Sequence, residues 1–141
     1  MNRRILKLLR MDGKMTYREI AAKLRRSPST VRDRIRRMEE YDVILGYSAI
    51  VNNELMGMQS DAIVLGNIGE GVSVKDLRKL HEVDGVMEVL LVSGGKSVMV
   101  RLHAPDNHTL DNTIAGSIMP LGLKDIEVRI VLESVMRFPG I

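Results

Sequence analysis

Two helix-start signals stand close together near the beginning of this chain, and their spacing leaves little freedom for what lies between them. Thr16 is followed three positions on by Glu19, and Ser27 is followed at once by Pro28. A threonine hydroxyl can accept from the free amides of a first helical turn while a glutamate at the third helical position reaches back to the cap. Serine at a cap with proline at the first helical position satisfies the same turn without wasting an amide. The interval holds only a short helix with Ile20, Ala21 and Leu24 as its apolar face, closed by the turn Arg25-Arg26. The helix that follows has an inward stripe of Val31, Ile35 and Met38 at i, i+4, i+7, which turns Ser29, Thr30, Arg32, Asp33, Arg36 and Arg37 outward. An earlier helix over residues 3–11 places Ile5, Leu8 and Leu9 on one face, and Asp12-Gly13 stops it.

Charge is divided along the chain in the same places. The first 41 residues carry 13 Lys/Arg against 5 Asp/Glu, and the remaining 100 carry 8 against 13. The overall charge of +3 therefore conceals a strongly basic helical third and an acidic remainder. Arginine-rich helix faces are often only solvated, and Asp33–Arg37 and Arg36–Glu40 have the spacing of internal i,i+4 pairs. Two capped helices, a tight turn and a concentrated positive field together point to duplex DNA.

Residues 43–52 change texture to β-branched and aromatic side chains and read as a connecting strand, ended by Asn52-Asn53. The expected division is a helix-turn-helix unit with its connecting strand over residues 1–51 and a second unit over residues 58–141.

From Ser60 onward the order reads strand, helix, strand, strand, helix, strand. The strands are expected over residues 62–68, 86–92 and 97–103, with a last one in which Ile126, Val128, Ile130 and Leu132 alternate with charge. Val74, Leu77 and Leu80 mark one helix face, with Ser73 as cap, and Leu110, Ile114 and Ile118 mark the other. Ser93-Gly94-Gly95-Lys96 reads as a hairpin turn with two glycines free to take positive φ. This βαββαβ order is the ferredoxin-like split βαβ unit. Residues 86–92 are apolar on both faces with Glu88 as the one charge, so the second face of the sheet wants cover, and pairing with another copy supplies it.

Several chemistries are excluded or disfavoured. Gly94-Gly95-Lys96-Ser97 resembles the end of a phosphate-binding loop, but the glycine required five positions before Gly95 is Leu90, and a strand follows instead of a helix. His81, His103 and His108 lack helix-face metal spacing and are expected at the surface or its boundary. A chain without cysteine has no disulfide, thiolate metal site or thiol nucleophile, and no cofactor is expected. No apolar run approaches the roughly 20 residues of a membrane span, and no secretory leader is apparent. These features favour the cytoplasm and no membrane partner.

The ordered set of stretches resembles the Lrp/AsnC family of transcription regulators. It comprises Ile5-Leu6-Lys7-Leu8-Leu9 before Asp12-Gly13-Lys14, residues 27–35, Val43-Ile44-Leu45-Gly46-Tyr47, and Val92-Ser93-Gly94. The resemblance implies an α+β protein with an N-terminal winged helix-turn-helix and a C-terminal ferredoxin-like, ACT-like domain. It further implies dimers built through the sheets, assembly up to an octamer, and a small effector, usually an amino acid, between dimers.

Three departures from the family pattern stand out. The usual acidic stretch before the first helix is replaced by Met1-Asn2. The turn before Ser27 holds Arg25-Arg26 where Gly-Leu is usual, and a left-handed Arg25 would cost roughly 1 kcal/mol. The hairpin carries Gly95 and Ser97 at its two usual acidic positions, so an amino-acid ammonium loses its counter-charge, and an anionic effector or none is the better fit.

Helix-turn-helix proteins enter the major groove with the N-terminal half of the second helix. Arg32 and Arg36 are the expected readers of guanine O6 and N7, with Ser29, Thr30 and Asp33 near other base edges. Thr16, Tyr17, Arg26 and Arg37 are expected on phosphate. The effector loop would comprise Ser93, Gly94, Gly95, Lys96 and Ser97. Two rival readings share the layout: a sirohaem-decarboxylase-like enzyme, which needs a histidine- and arginine-lined cleft, and an architectural protein coating DNA with little sequence preference.

Overall fold

The computed structural model describes residues 1–136 and divides into two compact units, Met1–Ile50 and Val51–Val135. The first holds α1 (Asn2–Met11), α2 (Tyr17–Leu24) and α3 (Pro28–Glu40). Ile5, Ile20, Ala21, Leu24, Val31, Ile35 and Met38 form its core, with Leu6, Leu8, Leu9, Met15 and Ile44 packed against them. The caps form as the sequence implies. Thr16 Oγ1 accepts from the Glu19 amide at 3.3 Å while the Glu19 carboxylate accepts from the Thr16 amide at 2.6 Å. That backbone bond, with a second from the Thr16 hydroxyl, holds the Glu19 carboxyl below its ordinary value. Ser27 Oγ accepts from the Thr30 amide at 3.2 Å, with Pro28 in the first helical turn.

Residues 43–52 do not form the expected strand. The Val43 and Ile44 amides both donate to the Met38 carbonyl, so the segment begins by closing α3. Beyond that, no strand lies beside it among the described residues of the helical unit, and β-prone residues without a ladder partner stay irregular. Val43, Leu45, Tyr47, Ile50 and Val51 are consequently left exposed.

The second unit is a four-stranded antiparallel sheet, β1 (Ser60–Ile68), β2 (Val86–Leu91), β3 (Val98–Ala104) and β4 (Leu123–Ile130), in the order β2-β3-β1-β4. That order is the ferredoxin-like arrangement. Its first crossover is α4 (Val74–Leu77), continued by a 3₁₀ turn over Arg78–Glu82. The second is α5 (Asn107–Thr113), continued by a π turn over Ile114–Ile118 and a 3₁₀ turn over Met119–Leu121. Apolar residues spaced strictly by four drift roughly 40° per step around an α-helix. The wider π turn offsets this drift and keeps Leu110, Ile114 and Ile118 all buried. They pack with Leu77, Leu80, Ala62, Val64, Val98, Val100 and Leu102.

Ser73 caps α4 as expected, in a capping box in which Asp76 accepts from the Ser73 amide at 2.9 Å and hydroxyl at 2.8 Å. Three local expectations are corrected. Val74 is exposed, and only Leu77 and, in the following 3₁₀ turn, Leu80 reach the core. The last strand stops at Ile130; the Val131 amide still donates to the Asp61 carbonyl, and Leu132 is exposed. His103 is buried, with Nε2 3.2 Å from Asp61 Oδ1 but without the alignment of a hydrogen bond.

Residues paired across neighbouring strands share a face. The register therefore puts Asp61, Ile63 and Leu65 of β1 on the face away from the core with Met99 and Arg101 of β3, Glu88 and Leu90 of β2, and Glu127 and Arg129 of β4. A register shift at Met87 breaks the alternation of β2, so Val86, Val89 and Leu91 lie core-side and Glu88 and Leu90 do not. On this face Glu88, Leu90, Glu127 and Arg129 are exposed, and Asp61, Ile63, Leu65, Met99 and Arg101 are half-buried.

Candidate functional site

The α2–α3 turn is built by Arg25. Its φ of 53° and ψ of 54° are left-handed, which lets the Arg25 amide reach the Ala22 carbonyl and the Arg26 amide reach Ala21. This is a Schellman closure made without the usual glycine. It turns the chain sharply enough for Ser27 to cap α3 two residues later.

Val31, Ile35 and Met38 anchor α3 inward, and Ser29, Thr30, Arg32, Asp33, Arg36 and Arg37 are all exposed on its other side. Their present partners differ. The Ser27 hydroxyl lies 3.0 Å from that of Ser29 and 2.7 Å from that of Thr30, so both are tied into the cap. Arg32 pairs with Asp33. Neither the Asp33–Arg37 nor the Arg36–Glu40 pair forms among the described residues; Asp33 turns to its chain neighbour instead. Among the described residues Arg36 and Arg37 have no ion-pair partner. Thr16, Tyr17 and Arg26 are exposed at the starts of α2 and α3, with the Thr16 hydroxyl donating to Glu19. The nine residues singled out for DNA thus lie on the exposed parts of one helical unit.

Sequence reasoning missed two supports of α3. Arg34 donates to the Asn2 side chain at 3.2 Å, tying α3 to the start of α1. The Tyr47 hydroxyl donates to Glu39 at 2.8 Å. Partial desolvation and this bond to a carboxylate push the Tyr47 phenol up to about 12.

The hairpin between β2 and β3 is closed by the Val92 amide donating to the Ser97 carbonyl at 2.9 Å. One glycine, not two, takes positive φ: Gly94 at 116°. Ser93, Gly94 and Gly95 are exposed, while Lys96 and Ser97 are half-buried. The Ser97 amide donates to Asn67 Oδ1 at 3.1 Å, and Asn67 Nδ2 donates to Asp125 Oδ2 at 3.3 Å. The Lys96 ammonium donates to the Asp125 carbonyl. Asn67 and Asp125 went unremarked in the sequence; the sheet order alone brings the end of β1 and the start of β4 beside this loop.

A separate shallow cleft of about 460 Å³ lies on the helix-covered side, between Lys79, Glu82 and Asp84 and the residues Thr113, Ser117 and Leu121. It contains none of the hairpin residues. The three histidines occupy separate places: His81 on the Arg78 carbonyl, His103 beside Asp61, His108 beside Asn112. No cluster of metal-ligating side chains occurs among the described residues, and no described helix is long and apolar enough to cross a membrane.

Comparison with known proteins agrees with both halves. The family described as winged helix-turn-helix DNA-binding matches residues 1–44, and the Lrp/AsnC ligand binding domain matches residues 75–141. The HTH-type transcriptional regulator FL11 of Pyrococcus abyssi is 30% identical over 135 residues, covering 94% of this chain and 88% of the relative. The structure of E. coli AsnC superposes with a TM-score of 0.80 at 23% identity, covering 96% of this chain and 93% of the other. The feast or famine regulatory protein of M. tuberculosis, solved complexed with L-methionine, gives 0.89 at 23% identity, covering 97% and 93%. With a capped helix-turn-helix, a ferredoxin-like sheet unit and these relatives together, the chain belongs to the Lrp/AsnC family of transcription regulators.

Proposed function

We infer that this regulator reads duplex DNA with the N-terminal half of α3, Arg32 and Arg36 addressing guanine edges and Ser29, Thr30 and Asp33 their neighbours. Thr16, Tyr17, Arg26 and Arg37 hold phosphate. The observation that carries this reading is the outward face of α3, on which Arg36 and Arg37 stand exposed and, among the described residues, without an ion-pair partner. Selection of bound sequences from a random duplex pool, repeated with Arg32→Glu and Arg36→Glu, tests it. Enrichment of one motif by the native chain and loss of that motif in both variants is expected. An unchanged motif in both would remove α3 from the reading role.

The working unit is at least a dimer, closed over the sheet face that bears Ile63, Leu65, Leu90 and Met99. Octamers are the larger assembly to test for. An enzymatic role has no support in the arrangement of the histidines, each of which faces a different local partner, and cytoplasmic residence follows from the regulatory role. The M. tuberculosis relative holds L-methionine. In this chain the loop at residues 93–97 has no carboxylate of its own, and its one cation is already committed to Asp125. Neutral amino acids are therefore poor effectors here.

A further inference from the structure

α1 carries four cations, Arg3, Arg4, Lys7 and Arg10, and no carboxylate. Its fully buried residue is Ile5. At roughly 100° per residue, Arg3, Lys7 and Arg10 fall about 140–200° around the helix from Ile5. All three are exposed, so they form a stripe facing directly away from the core, with Arg4 flanking it.

This stripe is unbalanced within the unit. Arg3 and Lys7 at i,i+4, and Lys7 and Arg10 at i,i+3, repel one another. Arg3 and Arg4 also occupy the first turn, where the helix dipole disfavours cations, and no acidic residue stands there to offset them. Among the described residues none of the four makes an ion pair. Four of the unit's six carboxylates are engaged elsewhere, Asp12 with the Lys14 amide, Glu19 with Thr16, Asp33 with Arg32 and Glu39 with Tyr47, and among the described residues neither Glu40 nor Asp42 pairs with α1. A cationic row that weakens its own helix and stays unpaired is complementary to a polyanion.

The geometry of the row matches one. From Arg3 to Arg10 the helix rises roughly 10 Å. Four successive phosphates of one DNA strand cover a similar rise along the duplex axis at about 3.4 Å per nucleotide. The direction of the row separates it from the α3 face. The three helices pack around one shared core, so their outer faces diverge. A duplex on α3 is therefore taken to leave the α1 stripe free.

We propose that Arg3, Lys7 and Arg10 bind the phosphate backbone of a second duplex, so that one chain bridges two DNA segments. The proposal rests on α3 being the reading face. The second contact is sequence-tolerant, since phosphates position a protein without identifying bases.

The test uses the full chain, one mixed-sequence duplex fixed on beads and a second, fluorescent duplex in solution. The native protein is expected to bind the fixed duplex and capture the second. Combined Arg3→Gln, Lys7→Gln and Arg10→Gln should hold the fixed duplex within about threefold of native affinity and capture the second at least about tenfold less, with a capture salt slope lower by roughly 2.7. Arg3→Lys with Arg10→Lys should restore capture, because phosphate reads charge. Undiminished capture by the glutamine variant would place the second duplex on other protomers' α3 helices and overturn the proposal. So would loss of fixed-duplex affinity as large as that of Arg32→Glu, or failure of the native chain to capture a second duplex. Failure to bind even the fixed duplex would instead refute the reading of α3.

Discussion

Arg32 donates through both Nε and Nη2 to one carboxylate oxygen of its chain neighbour Asp33, at 3.2 Å each. Both side chains are more than half exposed, so the pair is weak and is readily exchanged for DNA. If α3 reads DNA as proposed, Asp33 has two effects: it holds Arg32 in place before binding, and it repels phosphate from any wrong approach. Asp33→Ala is expected to raise affinity for mixed-sequence duplex about threefold while lowering discrimination between preferred and random sites by about tenfold, as loss of one good base contact would. Competition binding with the selected motif and with random duplex measures both.

Arg25 offers a test of stability uncoupled from any contact. Its left-handed backbone (φ 53°) is a conformation that a β-carbon disfavours. Arg25→Gly is expected to stabilise the helical unit by about 1 kcal/mol, read from the denaturant midpoint, and Arg25→Ala should give no such gain. If glycine fails to stabilise, the turn is held by something other than local geometry.

How much of this was legible before the structure follows from which forces act locally. Caps depend on two or three adjacent residues, so Thr16–Glu19 and Ser27–Pro28 could be read directly. Buried stripes such as Val31, Ile35 and Met38 are periodic and equally plain. The strand expected over residues 43–52 failed because β-propensity describes fitness for a ladder, and a ladder needs a neighbour that the sequence cannot supply by itself. Arg25 was legible only by comparison with a family habit of glycine. Asn67 lies 30 positions before Ser97 and Asp125 lies 29 positions after Lys96, and only the sheet order brings them together, so no local pattern marks them. The bulge at Met87 likewise depends on β3.

Tyr47 gives a pH signature. Partial desolvation and the bond to Glu39 raise its phenol to about 12, above the unfolded value near 10. A folded value above the unfolded one contributes stability that is fully present below about pH 10 and is lost as pH rises through about 12. The phenolate absorbance assigned by difference with Tyr47→Phe should have its midpoint near 12 and move down in Glu39→Gln. A midpoint near 10 in the native protein would mean that the bond to Glu39 does not persist in solution.

The uncovered sheet face predicts an assembly defect. Ile63 is flanked across the ladder by Arg101 and Arg129. Arg101 is gripped by Asp61 through two bonds of 3.2 and 2.7 Å, which raises its already high basicity. Ile63→Glu puts a carboxylate among these guanidiniums, where a monomer tolerates it. In a dimer closed over this face the same carboxylate would lose its water, at a cost of several kcal/mol. The variant is expected to remain folded by circular dichroism and to weaken self-association at least about a hundredfold in sedimentation. An unaltered oligomer would place the interface elsewhere.

The hairpin sets what an effector can be. An amino-acid ammonium needs a fixed carboxylate when it leaves water, and the loop at residues 93–97 offers none. The Asp125 carboxylate, which accepts from Asn67, lies outside the loop. Titration calorimetry with L-methionine and other neutral amino acids should therefore show weak binding or none. Gly95 is the informative position. It does not have positive φ, and a β-carbon added there meets nothing within 4 Å, so Gly95→Asp should leave the fold intact. That substitution places a carboxylate at one of the two positions that the resemblance makes acidic. It is expected to tighten binding of neutral amino acids about tenfold, in keeping with one new charge-assisted bond of about 1.5 kcal/mol. Tight binding by the native chain, unaffected by Gly95→Asp, would show that the ammonium is met by another group and that this loop does not select the effector.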